Sequence, residues 1–521
     1  MVTGVMLMQQ VLSGITIFYS TEIIDKKADV RLMQIIHDKV KALPAQLFED
    51  KDRLDDIEKA GAGRWGSISM FKSVIDVTFN YGMYLITMGM FLWSLEPILL
   101  VSFFFIFTPV ALSQLVEAKY FAQLEEASAP LRRQNSHYED CLIGAKHVKE
   151  TRLCGAYFYF KKLFMDSLSL LAQKEWDTRK KISAIHLGLN FSKALGWVGV
   201  LGLLFRALIQ GNITVGAFAA VFGSVEMMFN RFEGLFSSFS YSISHNLGKI
   251  HNMLNLLDMP NYKEADNSEP DLTQGIVATN VSFAYPAAGK NAVDDISLTI
   301  CSGETLALVG ENGSGKTTLV KLLCGLYKPD TGQVIIGGCD SAKTSDSALF
   351  SKTSGVFQNF HQYVFSLEEN VLISDIKSVI DPVSAMVDAN VDYQDTATFP
   401  DGLTTKLSRE FEGVELSGGQ WQRIATARGL YRHHHFIVLD EPTAAIDPLE
   451  ESRIYKHFTE ITKGKIAILV THRLGSARIA DRIAVMEGGK IVEIGTHESL
   501  LASNGKYAEM WAVQAESYNI N

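Results

Sequence analysis

The sequence has no excess of positive charge. Its 48 Lys and Arg stand against 58 Asp and Glu, a formal charge of −10 at pH 7. Nucleic-acid binders carry the opposite balance, so no nucleic-acid partner is expected. Cysteine is scarce: Cys141, Cys154, Cys301, Cys324 and Cys339 are all there are. The number is odd and no two form a CxxC pair, so neither a disulfide framework nor a zinc site is expected. Ordinary thiols of a reducing compartment are the simpler reading. Long apolar runs are missing after about residue 240, and the C-terminal half reads as a soluble α/β protein.

The apolar runs that exist are concentrated before that point. A helix crosses a bilayer with about 20 mostly apolar residues. Five segments approach that length: residues 2–19, 68–92, 98–115, 185–209 and 215–235. The first is short and holds Gln9 and Gln10. It lacks the basic flank and small-residue cleavage site of a signal peptide. Residues 93–97, beginning at Trp93, make a tight hairpin with an aromatic residue at the interface.

Positive charge is unevenly spread over the connections. Residues 20–67 hold Lys26, Lys27, Arg31, Lys39, Lys41 and further basic residues, and 116–184 hold twelve from Lys119 to Lys181. The short hairpin has none, and Arg206 stands alone near the other outer turn. The positive-inside rule puts the two long connections and the C-terminal half in the cytoplasm, and the N-terminus outside. Both connections keep helical spacing, as at Ile35, Ile36, Val40 and Leu43, so membrane helices are expected to continue into the cytoplasm. Lys72 and Asp76, four apart, can pair on one helix face. Lys193 and Glu226 sit deeper and either line a polar path or lie at wet helix ends.

Residues 258–274 read as a polar linker containing Pro260 and Pro270. That divides the chain into a helical membrane domain over 1–257 and a second, α/β domain over 275–521, whose motifs point to nucleotide binding. A strand over 305–309 enters Gly310, Glu311, Asn312, Gly313, Ser314, Gly315, Lys316 and Thr317, and a helical pattern follows from Thr318. This is a phosphate loop in its strand–loop–helix setting. The glycines let backbone N–H groups curl round phosphates, and the helix N-terminus adds partial positive charge. Lys316 can reach the β- and γ-phosphates, and the Thr317 hydroxyl can bind Mg²⁺. Further on, the apolar run 436–439 forms a buried strand that ends in Asp440 and Glu441. Asp440 suits the Mg²⁺ shell, and Glu441 is placed to activate a water as general base.

Leu416, Ser417, Gly418, Gly419 and Gln420, just upstream of that strand, resemble the signature sequence of the ABC transporter family. With the phosphate loop, Gln358, the two carboxylates, Asp447 and His472 in order, the resemblance covers the C-terminal half. It implies an α/β P-loop (RecA-like) ATPase domain with an antiparallel β subdomain and a helical subdomain, following an all-α transmembrane domain. It also implies roles. Tyr285 would stack on adenine, Gln358 would contact Mg²⁺ and water, His472 would contact the γ-phosphate, and Asp447 would lie at a subunit interface. Ser417 to Gln420 would face ATP held by a partner chain, so a homodimer binding ATP and Mg²⁺ is implied. His433, His434 and His435 match no metal pattern and read as a solvated loop.

A membrane domain placed before the ATPase resembles ABC exporters, multi-pass proteins of the cell membrane with a cytoplasmic ATPase. Glu410-Phe411-Glu412-Gly413, Gln420-Trp421-Gln422-Arg423-Ile424 and Gln514-Ala515-Glu516-Ser517-Tyr518 resemble bacterial lantibiotic and bacteriocin exporters. A peptide substrate is therefore expected, with multidrug or lipid export, or ATP binding without transport, as alternatives. The family has six membrane helices per chain. Five are counted here, the first resembling the family's second. Leader cleavage by a cysteine-protease domain ahead of them is not expected of this chain.

Overall fold

The computed structural model describes residues 18–75, 77–78, 86, 89–90, 92–94, 97–144, 147–259, 266–286, 288–442 and 458–518. The first membrane segment therefore lies outside the described residues but for its last two positions. Parts of the second segment, of the hairpin and of the linker also lie outside them, as do Asp76 and Asp447. The chain divides into two compact units, Met1–Lys41 with Asp55–Met259, and Ala42–Leu54 with Pro260–Asn521.

The first unit is helical. Its helices are Asp25–Lys41, Lys51–Ile75, Pro97–Ile143, Tyr157–Ile209 and Val215–Asp258, with the short helix Val148–Leu153 between the third and fourth of these. Lys51–Ile75 begins in the second unit and enters the first at Asp55. The 53 residues of Tyr157–Ile209 extend for roughly 80 Å, far beyond the ~30 Å of a bilayer's hydrocarbon core. The long helices do run on past their apolar segments without a break.

Pro97–Ile143 and Tyr157–Ile209 run antiparallel, and their side chains record the register. Asn135 donates to the Ser167 hydroxyl at 2.7 Å, Lys174 donates to the Ala127 carbonyl at 3.2 Å, and His186 lies 3.5 Å from Glu117. On Tyr157–Ile209, Val200, Leu204 and Ala207 are buried with Leu92, Ile213 and Val221. Leu187, Phe191, Leu195, Val198, Phe205 and Ile209 form an exposed apolar stripe on the other side of the same helix. Among the described residues, this helix is the one long and apolar enough to cross a membrane. Lys72 pairs with Asp25 across two helices. The side chains of Lys193 and Glu226 are not described.

The second unit holds two sheets. In the first, β1 (Ile276–Phe283), β2 (Val293–Ile300), β4 (Thr331–Ile336) and β5 (Cys339–Asp340) are antiparallel in the order β2-β1-β4-β5. The second contains β3 (Thr305–Gly310), β6 (Thr353–Val356), β7 (Phe436–Asp440), β8 (Ile466–Val470), β9 (Arg482–Glu487) and β10 (Lys490–Gly495), ordered β10-β9-β3-β8-β7-β6. It is parallel except at β10. Central strands buried on both faces must be apolar throughout, and every residue of β7 and β8 is buried. A separate helical core gathers Leu367, Val371, Met386, Phe399, Trp421 and Ile424. This is the α/β architecture with an antiparallel subdomain and a helical subdomain.

Residues Ala42–Leu54 pack within this unit although both flanks lead into the helices of the other. Gln46 accepts a hydrogen bond from the Lys328 N–H at 3.0 Å. Glu49 accepts from the Tyr327 hydroxyl and lies 3.5 Å from the Lys321 ammonium. Ala45 packs against the apolar core.

Candidate nucleotide site

A cavity of about 700 Å³ opens at the C-terminal ends of the parallel strands, where ligands bind in open α/β sheets. β3 delivers the phosphate loop to it. Gly310, Glu311, Asn312, Gly313, Gly315, Lys316, Thr317 and Thr318 line it, while Ser314 is buried beside it. Gly313 and Gly315 have φ of +80° and +102°, left-handed backbone that a side chain would strain. A Cβ on Gly315 would also collide with the Ala292 carbonyl. These turns lead the loop into the helix Lys316–Leu323.

Lys316 is 6 % exposed, and its ammonium donates to the carbonyls of Gly310 at 2.8 Å and Glu311 at 2.9 Å. Burial lowers its pKa, while Glu441 and then Asp440 hold the charge in place. Tyr285 lines the mouth. Its hydroxyl is 3.1 Å from Thr318 Oγ1 and its ring meets Phe283 and Tyr327.

The adjacent carboxylates take different roles because the strand ends between them. Asp440 is 1 % exposed, and neither of its carboxylate oxygens has a hydrogen-bond partner of good geometry. Burial pushes its pKa up, with the neighbouring Thr317 side chain opposing that rise. A buried carboxylate left short of donors, beside a threonine hydroxyl, is a donor set that suits a hard divalent cation such as Mg²⁺. Glu441 has a positive φ of +51°, a conformation costing roughly 1–3 kcal/mol for a non-glycine residue. Its N–H donates to the Val470 carbonyl at 3.0 Å, and its carbonyl accepts from Gln422 Nε2 at 3.1 Å. The bend turns its carboxylate into the cavity. There Oε2 accepts from Gln358 at 2.8 Å and Oε1 lies 3.1 Å from His472 Nδ1. Gln358, Glu441 and His472, 83 and 31 residues apart in pairs, thus meet beside the phosphate loop.

Ser417 to Gln420 do not line this cavity. Ser417 caps the helix Gly418–Tyr431, accepting from the Gln420 N–H at 3.3 Å, and Gln420 Oε1 accepts from the Ser417 N–H at 2.8 Å. The cap leaves Ser417 and Gly418 exposed. Asp447 lies outside the described residues. Sequence reasoning missed Met510 and Gln514, which also line the cavity. The helical spacing of Tyr507, Met510, Trp511 and Gln514 was the signal available for them. It also misjudged His434, which is buried, with Nδ1 2.5 Å from the Arg432 carbonyl. Its neighbours His433 and His435 are exposed.

Residues 293–444 match the family model of the ABC transporter. The chain is 33% identical over 379 residues to the subtilin transport ATP-binding protein of Bacillus subtilis, covering 68% of this chain and 60% of that one. It is also 33% identical to an ATP-dependent lipid A-core flippase of Methylobacillus flagellatus, covering 63% of this chain and 56% of the flippase. The chain thus spans less than two thirds of these relatives' length. A solved structure of a bacterial Atm1-family ABC exporter with ATP bound superposes with a TM-score of 0.83 at 22% identity, over 98% of this chain and 89% of that one. That likeness shows a shared fold. The chain therefore carries an ABC transporter domain over residues 293–444, has the fold of an ABC exporter, and resembles the subtilin transport ATP-binding protein.

Proposed function

We propose that two copies of this chain form an exporter in the cell membrane, driven by ATP binding and hydrolysis between their ATPase domains, with a peptide as substrate. The observation that carries the ATPase is the meeting of Gln358, Glu441 and His472 at the phosphate-loop cavity. The phosphate-loop N–H groups and Lys316 would hold the triphosphate, and Tyr285 would flank the base. Thr317, Asp440 and Gln358 would hold Mg²⁺, which supplies charge neutralisation of the phosphates when bound. A water oxygen attacks the γ-phosphorus, its proton passes to a Glu441 carboxylate oxygen, and the bond to the ADP oxygen breaks. Gln358 and His472 keep that carboxylate in place, and general-base assistance of this kind is worth roughly 10²–10⁴-fold.

The second copy follows from the signature turn. Its helix N-terminus is capped and exposed, with N–H groups suited to an anion, yet it does not reach this chain's own cavity. It is free to face the cavity of a partner. The exposed apolar stripe on Tyr157–Ile209 supports contact with lipid, since lipid-facing helices carry their apolar side chains outward. Residues Ala42–Leu54, held by the ATPase unit and continuous with two long helices, would pass closure of the ATPase pair to the membrane domain. The proposed domains are 1–257 for the membrane and 275–521 for the ATPase, joined by 258–274, with Ala42–Leu54 packing within the ATPase unit.

The likeness to a lantibiotic transporter supports a peptide substrate. The likeness to a lipid A-core flippase makes lipid export the second reading. ATP hydrolysis by the reconstituted chain, titrated with cationic peptides and with lipids, tests both. Stimulation by peptide alone supports the first, stimulation by lipid alone the second, and absence of hydrolysis refutes the ATPase.

A further inference from the structure

The helix Lys506–Tyr518 supplies none of the sequence elements that define the nucleotide site, yet Met510 and Gln514 face the cavity from it. Gln514 uses both ends of its amide on the loop that carries His472. Its Nε2 donates to the His472 carbonyl at 2.6 Å, and its Oε1 accepts from the Leu474 N–H at 2.9 Å. Two hydrogen bonds to backbone groups two residues apart fix the peptide planes between them. They thereby fix the direction in which the His472 side chain leaves the loop. That side chain ends 3.1 Å from Glu441.

The helix is itself anchored. Glu493 of β10 accepts from the N–H groups of Lys506 at 2.5 Å and Tyr507 at 3.0 Å, donors that the first turn of a helix leaves without partners. The Tyr507 ring is fully buried and its hydroxyl is 2.8 Å from His497 Nδ1. The Lys506 ammonium lies 3.0 Å from Glu487 and 3.6 Å from Glu311 of the phosphate loop. One helix therefore touches the phosphate loop at its start and the His472 loop near its end.

We infer that Gln514 is a positioning residue for His472, and that the C-terminal helix braces the His472 loop against the phosphate loop. This rests on the reading of the cavity as an ATP-hydrolysing site. A displacement of about 1 Å in a catalytic constellation costs roughly 10²-fold in rate, so loss of the brace acts on turnover. Nucleotide affinity, set by the phosphate loop, changes little.

The test is steady-state ATPase of the full chain, read as kcat and KM for Mg-ATP. The variants are Gln514→Met, which keeps volume and removes both hydrogen bonds, Gln514→Ala, His472→Ala, and each Gln514 change combined with His472→Ala. The expected result is a kcat about tenfold lower or worse in both Gln514 variants, with KM within about threefold of wild type. In the His472→Ala background neither Gln514 change should lower the residual rate further. A kcat within about twofold of wild type, a rise in KM at constant kcat, or fully additive losses in the double variants would overturn the inference. Hydrolysis by wild type together with any of these sinks this inference alone. No hydrolysis by wild type sinks the ATPase reading and the inference together.

Discussion

The side-chain amide of Gln358 donates to Oε2 of Glu441 at 2.8 Å, joining the loop after β6 to the carboxylate at the end of β7. With His472 on the other oxygen, Glu441 is held from two sides by residues far from it in the chain. Its position is thus set by three loops together and is sensitive to movement of any one.

Glu441→Gln is expected to keep the shape of this contact and remove the proton acceptor. ATP hydrolysis should fall by roughly 10²-fold or more, with nucleotide affinity little changed. Parallel measurement of steady-state ATPase and of binding of a fluorescent ATP analogue checks this. An unchanged rate would remove Glu441 from the role of base.

Lys316 is a buried cation whose ammonium is held by two loop carbonyls. Lys316→Ala removes a charge-assisted contact worth about 1.5–3 kcal/mol, so nucleotide affinity should weaken by roughly 10–100-fold. Equilibrium binding of the same analogue reads this directly.

Burial pushes the pKa of His434 down to about 4, with the nearby Lys465 ammonium acting in the same direction. Its Nδ1 faces the Arg432 carbonyl, and Nε2 lies 3.2 Å from Lys465 Nζ. The neutral ring therefore donates at Nδ1 and accepts at Nε2. The unfolded chain binds this proton below a pKa of about 6.5, whereas the folded chain resists it down to about 4. The stability that neutral His434 contributes is thus complete above pH 6.5. It is lost progressively as pH falls towards 4, to a total of about 3 kcal/mol. Thermal unfolding at about pH 7.5 and about pH 5 should show a larger drop for wild type than for His434→Gln. Equal drops would place the acid sensitivity elsewhere.

Tyr327 links the segment Ala45–Glu49 to the ATPase core. Its hydroxyl donates to Glu49, its ring meets Tyr285, and burial together with the Glu49 carboxylate raises its pKa well above the usual value. Tyr327→Phe should cost about 1 kcal/mol of stability. It should leave basal ATPase within about twofold while reducing stimulation by transported substrate. Comparing stimulated and unstimulated rates in proteoliposomes checks it. Undiminished stimulation would exclude this contact from coupling.

How legible these features were in the sequence depended on how local their causes are. The phosphate loop could be read because its glycines and Lys316 are contiguous and stand between a strand and a helix. The buried strand before Asp440 was legible because residues buried on both faces must all be apolar. The burial of His434 was hidden, because one ring in a polar triplet turns inward on contacts to Arg432 and Lys465 that no local pattern announces. Gln514 was read only as part of a family likeness. Its two bonds to the His472 loop join positions about 40 residues apart, which periodicity cannot reveal. The contact between Lys72 and Asp25 was hidden for a related reason. Spacing along one helix points to Asp76, which lies outside the described residues, and cannot reveal Asp25, which packing brings from another helix. The attachment of Ala42–Leu54 to the ATPase unit likewise depends on tertiary contacts at Lys321, Tyr327 and Lys328.

The sharing of each ATP between two chains is tested most directly by complementation. Ser417→Arg spoils the exposed signature turn, and Lys316→Ala spoils the phosphate loop. Each variant expressed alone should give a dimer with two defective sites and no hydrolysis. Co-expressed and purified as a mixed dimer, they should form one intact site, the phosphate loop of the first chain facing the signature of the second, and ATP hydrolysis should return. Full activity of Ser417→Arg alone, or a mixed dimer as inactive as its parents, would contradict the account.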